Sequence, residues 1–208
     1  MIKKTALFGL WLGILSLMAC SNSSYIQKAK NIESWQQSRD QLASLQQWEI
    51  RGKISIRSAS ELYTADLFWQ QNGADLKLRL AAPFSQAVTD FSGNDEDGYL
   101  VLTEQGEQVK VDSPETITEH AFGLSLPFSE LKSWIKGVPD SGARVWRAHF
   151  NDDNRLQFFE QRGWEVKILK YKQVGEYTLP SKVFLSRLNE NQSDKRVDIR
   201  LILNRWVL

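Results

Sequence analysis

From Trp48 onward the chain alternates apolar and polar residues with a period of two, stops at a polar turn and starts again, almost to its end. Successive side chains of a β-strand point to opposite faces, so this alternation means antiparallel strands with one face buried and one wet. Trp48, Ile50, Gly52, Ile54 and Ile56 alternate with Glu49, Arg51, Lys53, Ser55 and Arg57. Gly52 inside that run hints at a bend or bulge. Further strands are expected at Leu62 to Gln70, at Leu76 to Leu80 after an Asn72-Gly73 hairpin turn, and at Ala87 to Phe91, Tyr99 to Thr103 and Gln108 to Asp112. After an interruption they resume at Val145 to Phe150, Leu156 to Glu160, Trp164 to Tyr171, Pro180 to Leu188 and Val197 to Val207. The last should present Val197, Ile199, Leu201, Leu203, Arg205 and Val207 on one face.

Helical periodicity occurs in two places. Tyr25 to Leu45 carries Ile26, Ala29, Ile32, Trp35, Leu42 and Leu45 as an apolar stripe. In the interruption, Ser113-Pro114 pairs an N-cap with proline at the first helical position and opens a short helix that stops at Gly123. A second, capped by Ser129, presents Leu131, Trp134 and Ile135 and ends at Gly137-Val138-Pro139. About eleven antiparallel strands in so short a chain should curl into one bent, unclosed sheet, a mainly β half-barrel with α. Its concave face is the place where the helices can bury their stripes. An apolar cavity under a helical lid is expected, suited to a lipid or another greasy ligand.

The beginning of the chain has a different grammar. Lys3 and Lys4 precede an apolar run from Ala6 to Met18, too short for the roughly 20 residues that span a bilayer but suited to a secretory signal. Leu17-Met18-Ala19-Cys20 resembles the lipobox of bacterial lipoproteins, with Met18 larger than usual there. Residues 1–19 are thus expected to be a cleaved signal peptide. Residues 20–24 are a lipidated N-terminus with a short tether, and 25–208 form a single domain. Cys20 is the only cysteine, so no internal disulfide competes for it. The lipobox implies a diacylglycerol thioether on Cys20 and commonly a third acyl chain on its amine. Several chains anchor well, at roughly 0.8 kcal/mol per buried methylene. Ser21 stands where aspartate would mark inner-membrane retention, which implies the inner leaflet of the outer membrane, facing the periplasm.

No catalytic constellation emerges. His120 and His149 lie far apart, without metal-ligand spacing, and nucleophile-elbow and phosphate-loop glycine motifs are absent. Asn94-Asp95-Glu96-Asp97 lacks the alternation of a calcium loop and reads as a solvated turn. A formal charge of +1 with no basic block gives no footprint for nucleic acid. The expectation is a non-enzymatic monomer without metal or cofactor. Eight Trp is a heavy load, compatible with apolar cavities and membrane interfaces alike.

An ordered series of residues then resembles the LolB family of outer-membrane lipoprotein receptors, from about Gln36 to Leu208. It runs from Trp48 with Arg51-Gly52, through Phe68-Trp69-Gln70-Gln71 and Pro83-Phe84, to Gly123-Leu124-Ser125-Leu126-Pro127 with Leu131, Trp134, Gly137 and Pro139. It continues with Gly163-Trp164 and Leu179-Pro180 and closes on a strand bearing Trp206. The resemblance implies a half-barrel with helices over its apolar mouth. It also implies a receptor that takes outer-membrane lipoproteins from the periplasmic carrier LolA and inserts their acyl chains into the outer membrane.

Trp48, Ile50, Ile54, Tyr63, Leu67, Trp69, Leu78 and Leu80 are candidates for the acyl-chain cavity wall, and Phe122, Leu124, Leu126, Leu131, Trp134 and Ile135 for its lid. Patterning alone favours an ordinary dry core; the resemblance reverses that in favour of a ligand space. Pro83 cannot sit in a paired central strand, so Phe84 is expected on a protruding loop. The resemblance makes Pro83 and Phe84 a membrane-delivery loop, although Ala82 and Ser85 depart from the family's Asn-Pro-Leu-Gly-like pattern. Two other occupations fit the same residues: an outer-membrane lipoprotein holding a free lipid or hydrophobic ligand, and a structural accessory of envelope assembly.

Overall fold

The structure is a computed structural model that describes residues 29–58, 61–82, 88–102, 106, 108–122, 125–189 and 192–208. The signal segment, Cys20 and its tether, Pro83, Phe84 and Leu124 lie outside the described residues, as does the side chain of Phe122.

Eleven strands form one sheet in which every paired neighbour is antiparallel. In chain order they are β1 (Gln47–Arg57), β2 (Leu62–Asn72), β3 (Asp75–Ala81), β4 (Val88–Asn94), β5 (Gly98–Leu102), β6 (Gln108–Val111), β7 (Val145–Phe150), β8 (Leu156–Gln161), β9 (Trp164–Val174), β10 (Tyr177–Asn189) and β11 (Gln192–Val207). The helices are α1 (Ile32–Ala43), α2 (Pro114–Phe122) and α3 (Phe128–Trp134). The sheet order is β6-β5-β4-β3-β2-β1-β11-β10-β9-β8-β7. Two hairpin meanders are therefore welded by the first and last strands, and the sheet stays open. Its two edges, β6 and β7, are consecutive in sequence. The chain that passes from one edge to the other carries α2 and α3.

Period-two patterning sorts the faces as expected. Trp48, Ile50, Ile54 and Ile56 on β1, and Leu76, Leu78 and Leu80 on β3, are buried, with polar residues between them. The ladder departs from regularity at Gly52. Arg51 pairs with Arg205 but Gly52 pairs with Leu203, leaving Asn204 as the extra residue. That bulge flips the end of β11. Trp206 turns inward and is 6 % exposed, whereas Arg205 and Val207 face out. The expectation that Arg205 and Val207 would share the inner face is thus corrected by one inserted residue. Gly52 is obligatory here, because a Cβ would lie 2.0 Å from the carbonyl oxygen of Ile202.

The helices differ more from their sequence reading. α1 starts at Ile32, not Tyr25, where the Asn31 side chain accepts from the Ser34 amide at 2.9 Å. Ile32 is exposed, and the burial comes from Leu42 and the partly buried Trp35, whose ring stands edge-on to Phe150 at 5.1 Å. α2 begins as read, with the Thr116 amide donating to Ser113 Oγ at 3.3 Å. α3 starts at Phe128, and Ser129 is not its cap. The Ser129 amide and hydroxyl both donate to Glu115 Oε1, at 3.0 and 3.1 Å, so α2 supplies the cap from outside. The β2–β3 hairpin turn is also displaced by one residue. Asn72 still pairs with Asp75, and Gly73 (φ 59°) and Ala74 make the loop.

Candidate functional site

The candidate wall residues converge. Trp48, Ile50, Ile54, Leu67, Trp69, Leu78 and Leu80 are buried side by side on the concave face of β1–β3, with Tyr63 partly buried against them. The lid candidates Leu126, Leu131, Trp134 and Ile135 are buried in the same continuous cluster. A string of rings joins the two groups. Trp48 lies 5.7 Å from Trp206 and 5.2 Å from Trp69, and Trp69 lies 5.5 Å from Phe128 at the start of α3. Aromatic pairs at such separations add about 0.5–1.5 kcal/mol each beyond their area.

Sequence reading missed half of the wall. β8 to β11 line the concave face with Phe159, Val166, Val183, Leu185, Ile199 and Leu201 as completely as β1 to β3 do. The signal was present, since those strands alternate just as regularly. What was hidden is that β11 lies beside β1, which makes the two meanders one surface. Phe128 was missed because it precedes the residue taken for the helix cap.

The lid is tied down by a few polar contacts at its rim. Gln161, fully buried at the end of β8, accepts from Trp134 Nε1 at 2.7 Å and from the Asp140 amide at 2.9 Å. Its Nε2 donates to the carbonyls of Asp140 and Ala143, at 2.7 and 2.6 Å. Both ends of this buried amide are therefore satisfied, as burial demands. Glu130 on α3 meets Arg162 of the β8–β9 turn at 2.6 Å. Lys136, just past α3, donates to the carbonyls of Ala43 and Leu45 at 3.4 and 3.2 Å, holding α3 to the end of α1. Burial pushes the Lys136 ammonium below its ordinary lysine pKa. Thr118 Oγ1 accepts from the Leu126 amide at 2.9 Å and fixes the α2–α3 link.

The covering is incomplete along one edge. A groove of about 790 Å³ opens between α1 and α3, with Trp35, Ala43 and Val138 on its sides and the inner face of β7 (Val145, Ala148 and Phe150) as its floor. Ligand clefts commonly enclose roughly 300–1,000 Å³. Arg39, Lys132 and Lys136 stand on its walls with Asp40 and Asp140. The groove thus combines an apolar floor with charged walls and stays open to solvent. Among the described residues, no group of three His, Cys, Asp or Glu side chains is placed to hold a metal ion. No helix among them is long and apolar enough to cross a membrane.

Residues 46–206 match the family model described as "Outer membrane lipoprotein LolB". The chain belongs to the LolB family. An outer-membrane lipoprotein LolB of Pseudomonas fluorescens is 32 % identical over 182 residues, which cover 88 % of this chain and 84 % of that protein. The LolB of Nitrosococcus oceani is 28 % identical over 85 % of this chain and 84 % of its own length. Among solved structures, a LolA superfamily protein from Nitrosomonas europaea superposes with a TM-score of 0.54 over 85 % of this chain and 92 % of that one, at 8 % identity. A DUF1329 family protein from Desulfovibrio piger gives 0.51 over 82 % and 91 %, also at 8 % identity. These likenesses show the fold alone. LolB membership makes this an outer-membrane lipoprotein of lipoprotein localisation rather than an enzyme.

Proposed function

We propose that this LolB-family protein is a receptor that accepts lipoproteins from the periplasmic carrier LolA and inserts them into the outer membrane, without catalysis or nucleotide. One observation carries the reading: an apolar concave face covered by short helices whose polar ties lie at their rim. An acyl chain of ~15 methylenes carries about 12 kcal/mol of transfer free energy at ~0.8 kcal/mol each, so it cannot cross water unshielded. Passage from carrier to receptor to bilayer must run downhill between apolar environments. In this reading the lid side chains occupy the space that acyl chains take, and the α1–α3 groove is where the covering first yields.

The N-terminal readings belong to the same proposal. Residues 1–19 are removed, Cys20 is acylated, and residues 20–24 start a tether that holds the 25–208 domain to the inner leaflet, facing the periplasm. Pro83 and Phe84, in the connection between β3 and β4, form the loop that disturbs the bilayer during release. Burial of the Phe84 ring would contribute roughly 1.5–3 kcal/mol, enough to orient that loop locally.

The decisive experiment mixes a purified lipoprotein–carrier complex with this protein and liposomes, and scores receptor-bound and membrane-inserted lipoprotein separately. Wild type should move lipoprotein into the liposomes, Phe84→Leu should do the same, and Phe84→Glu should accept lipoprotein but fail to insert it, since a carboxylate resists entering lipid. Lipoprotein that stays on the carrier overturns the receptor reading. Insertion by Phe84→Glu at the wild-type rate removes the loop from the mechanism.

A further inference from the structure

The two ends of the sheet differ in surface chemistry. One end carries the β1–β2, β3–β4, β5–β6, β8–β9 and β10–β11 connections, together with the start of β7. Ile32, Val207 and Leu208 are exposed at the opposite end, while four exposed large apolar side chains rim this one: Leu62 at 60 %, Leu188 at 60 %, Trp146 at 44 % and Leu102 at 40 %. Arg57, Arg144, Arg162 and Arg196 stand among them, and with the acidic residues of the intervening loops this end is close to neutral. The opposite end carries Asp75, Asp95-Glu96-Asp97, Asp112, Asp152-Asp153 and Glu176 against Lys30, Lys110 and Arg155. That end is net acidic, even with Lys77, Lys172 and Arg205 close to it. An anionic bilayer repels it and tolerates the other, where apolar side chains can enter the interface.

The attachment point of the chain sets a constraint that any stance must meet. Lys30 Nζ lies 2.8 Å from Asp152 Oδ1, and Asn154 Nδ2 donates to the Asn31 carbonyl at 2.8 Å. The N-terminal segment therefore joins the domain at the acidic end, beside the β7–β8 turn. The six residues of β7 cover only about 20 Å. From Cys20 to Lys30 the chain can extend to about 34 Å, so it can run past β7 and still reach lipid at the apolar end. Four residues of tether, with reach of ~14 Å, would not.

We infer that this protein stands end-on on its bilayer, with Leu62, Leu102, Trp146 and Leu188 as a ring of lipid-contacting residues and the acidic end held away, toward the periplasm. This rests on the delivery-loop reading only in that both use the same end of the sheet. The ring makes the stance a property of the whole end, which stays put while cargo leaves.

The test uses full-length lipidated protein in vesicles of phosphatidylethanolamine and phosphatidylglycerol. With Cys20 acylated, an introduced cysteine is the only free thiol. Fluorophores on Leu62→Cys and Leu188→Cys should be quenched by nitroxide-bearing lipids at least threefold more than those on Glu96→Cys and Glu176→Cys. Equal or reversed quenching overturns the orientation. Deleting residues 22–27 should cut quenching at position 188 at least threefold, and unchanged quenching overturns the tether path. The Phe84→Glu transfer assay stays separate. Normal insertion with strong quenching at positions 62 and 188 defeats the loop and keeps the stance; blocked insertion without that quenching does the opposite.

Discussion

Trp69 on β2 and Trp134 on α3 are 2 % and 0 % exposed, yet they are held in place by different means. Trp69 sits in a strand laddered on both sides, by β1 and β3. Trp134 ends a seven-residue helix, far below the ~12–15 residues that hold a helix together in water. It depends on tertiary contacts: its burial in the common apolar cluster, one hydrogen bond to Gln161, its edge-to-face neighbour Phe159 at 6.2 Å and the ties at the lid's rim. Equal burial therefore conceals unequal permanence. Opening the wall breaks a cooperative ladder, whereas opening the lid exposes Phe128, Leu131, Trp134 and Ile135 to water but leaves the ladder whole.

The sharpest way to break that contrast is Gly52→Ala in the wall. A Cβ 2.0 Å from the Ile202 carbonyl forces the β1–β11 weld apart, and a loss of about 4 kcal/mol or more is expected. Urea unfolding would measure it; a change under 1 kcal/mol would mean that the weld is soft. Gln161→Leu comes next. It strips the partner from Trp134 Nε1 and the Asp140 amide, and buried unpaired groups cost roughly 1–3 kcal/mol each. A loss of about 3 kcal/mol should appear, with faster amide exchange in α3 than in β1 or β11. Uniform exchange would erase the distinction between wall and lid.

Smaller effects should sharpen the contrast. Glu130→Gln removes the ion pair with Arg162, worth no more than about 1 kcal/mol at a partly exposed site. Global stability should hardly move, while uptake of a hydrophobic probe quickens. A probe rate equal to wild type would show that this pair does not restrain the lid. The smallest effect lies in alkali. Burial first, and then the hydrogen bond to Asp95 at 2.6 Å, raise the Tyr99 pKa well above its ordinary value. Burial does the same to Tyr171, whose hydroxyl donates to the Leu156 carbonyl at 2.6 Å. A folded pKa above the unfolded one gives stability that is complete below about pH 10 and declines as pH rises further. Ultraviolet titration should show these two tyrosines ionising last, together with loss of structure. Their ionisation alongside exposed tyrosine in a folded chain would contradict that.

Much of this fold is legible residue by residue. The alternation around Trp48, Ile50 and Ile54 depends only on which side chains avoid water, and a strand's two faces follow from its own sequence. The Ser113-Pro114 helix start is equally local, because cap and amide lie three residues apart. The same locality makes wall residues such as Leu78 and lid residues such as Trp134 recognisable as apolar faces awaiting a partner.

What the chain could not state alone is how distant segments meet. The pairing of β1 with β11, the Asn204 bulge that turns Trp206 inward, and the Glu115 cap on α3 each join residues that have no sequence relation to one another. Gln161 reads as an ordinary polar residue until three residues from two other segments surround it with four hydrogen bonds. Hydrophobic periodicity is a local consequence of solvent avoidance, and it determined the strands and their faces. Register, bulges and buried polar partners are decided by packing between elements, where a shift of one residue exchanges the inner face for the outer.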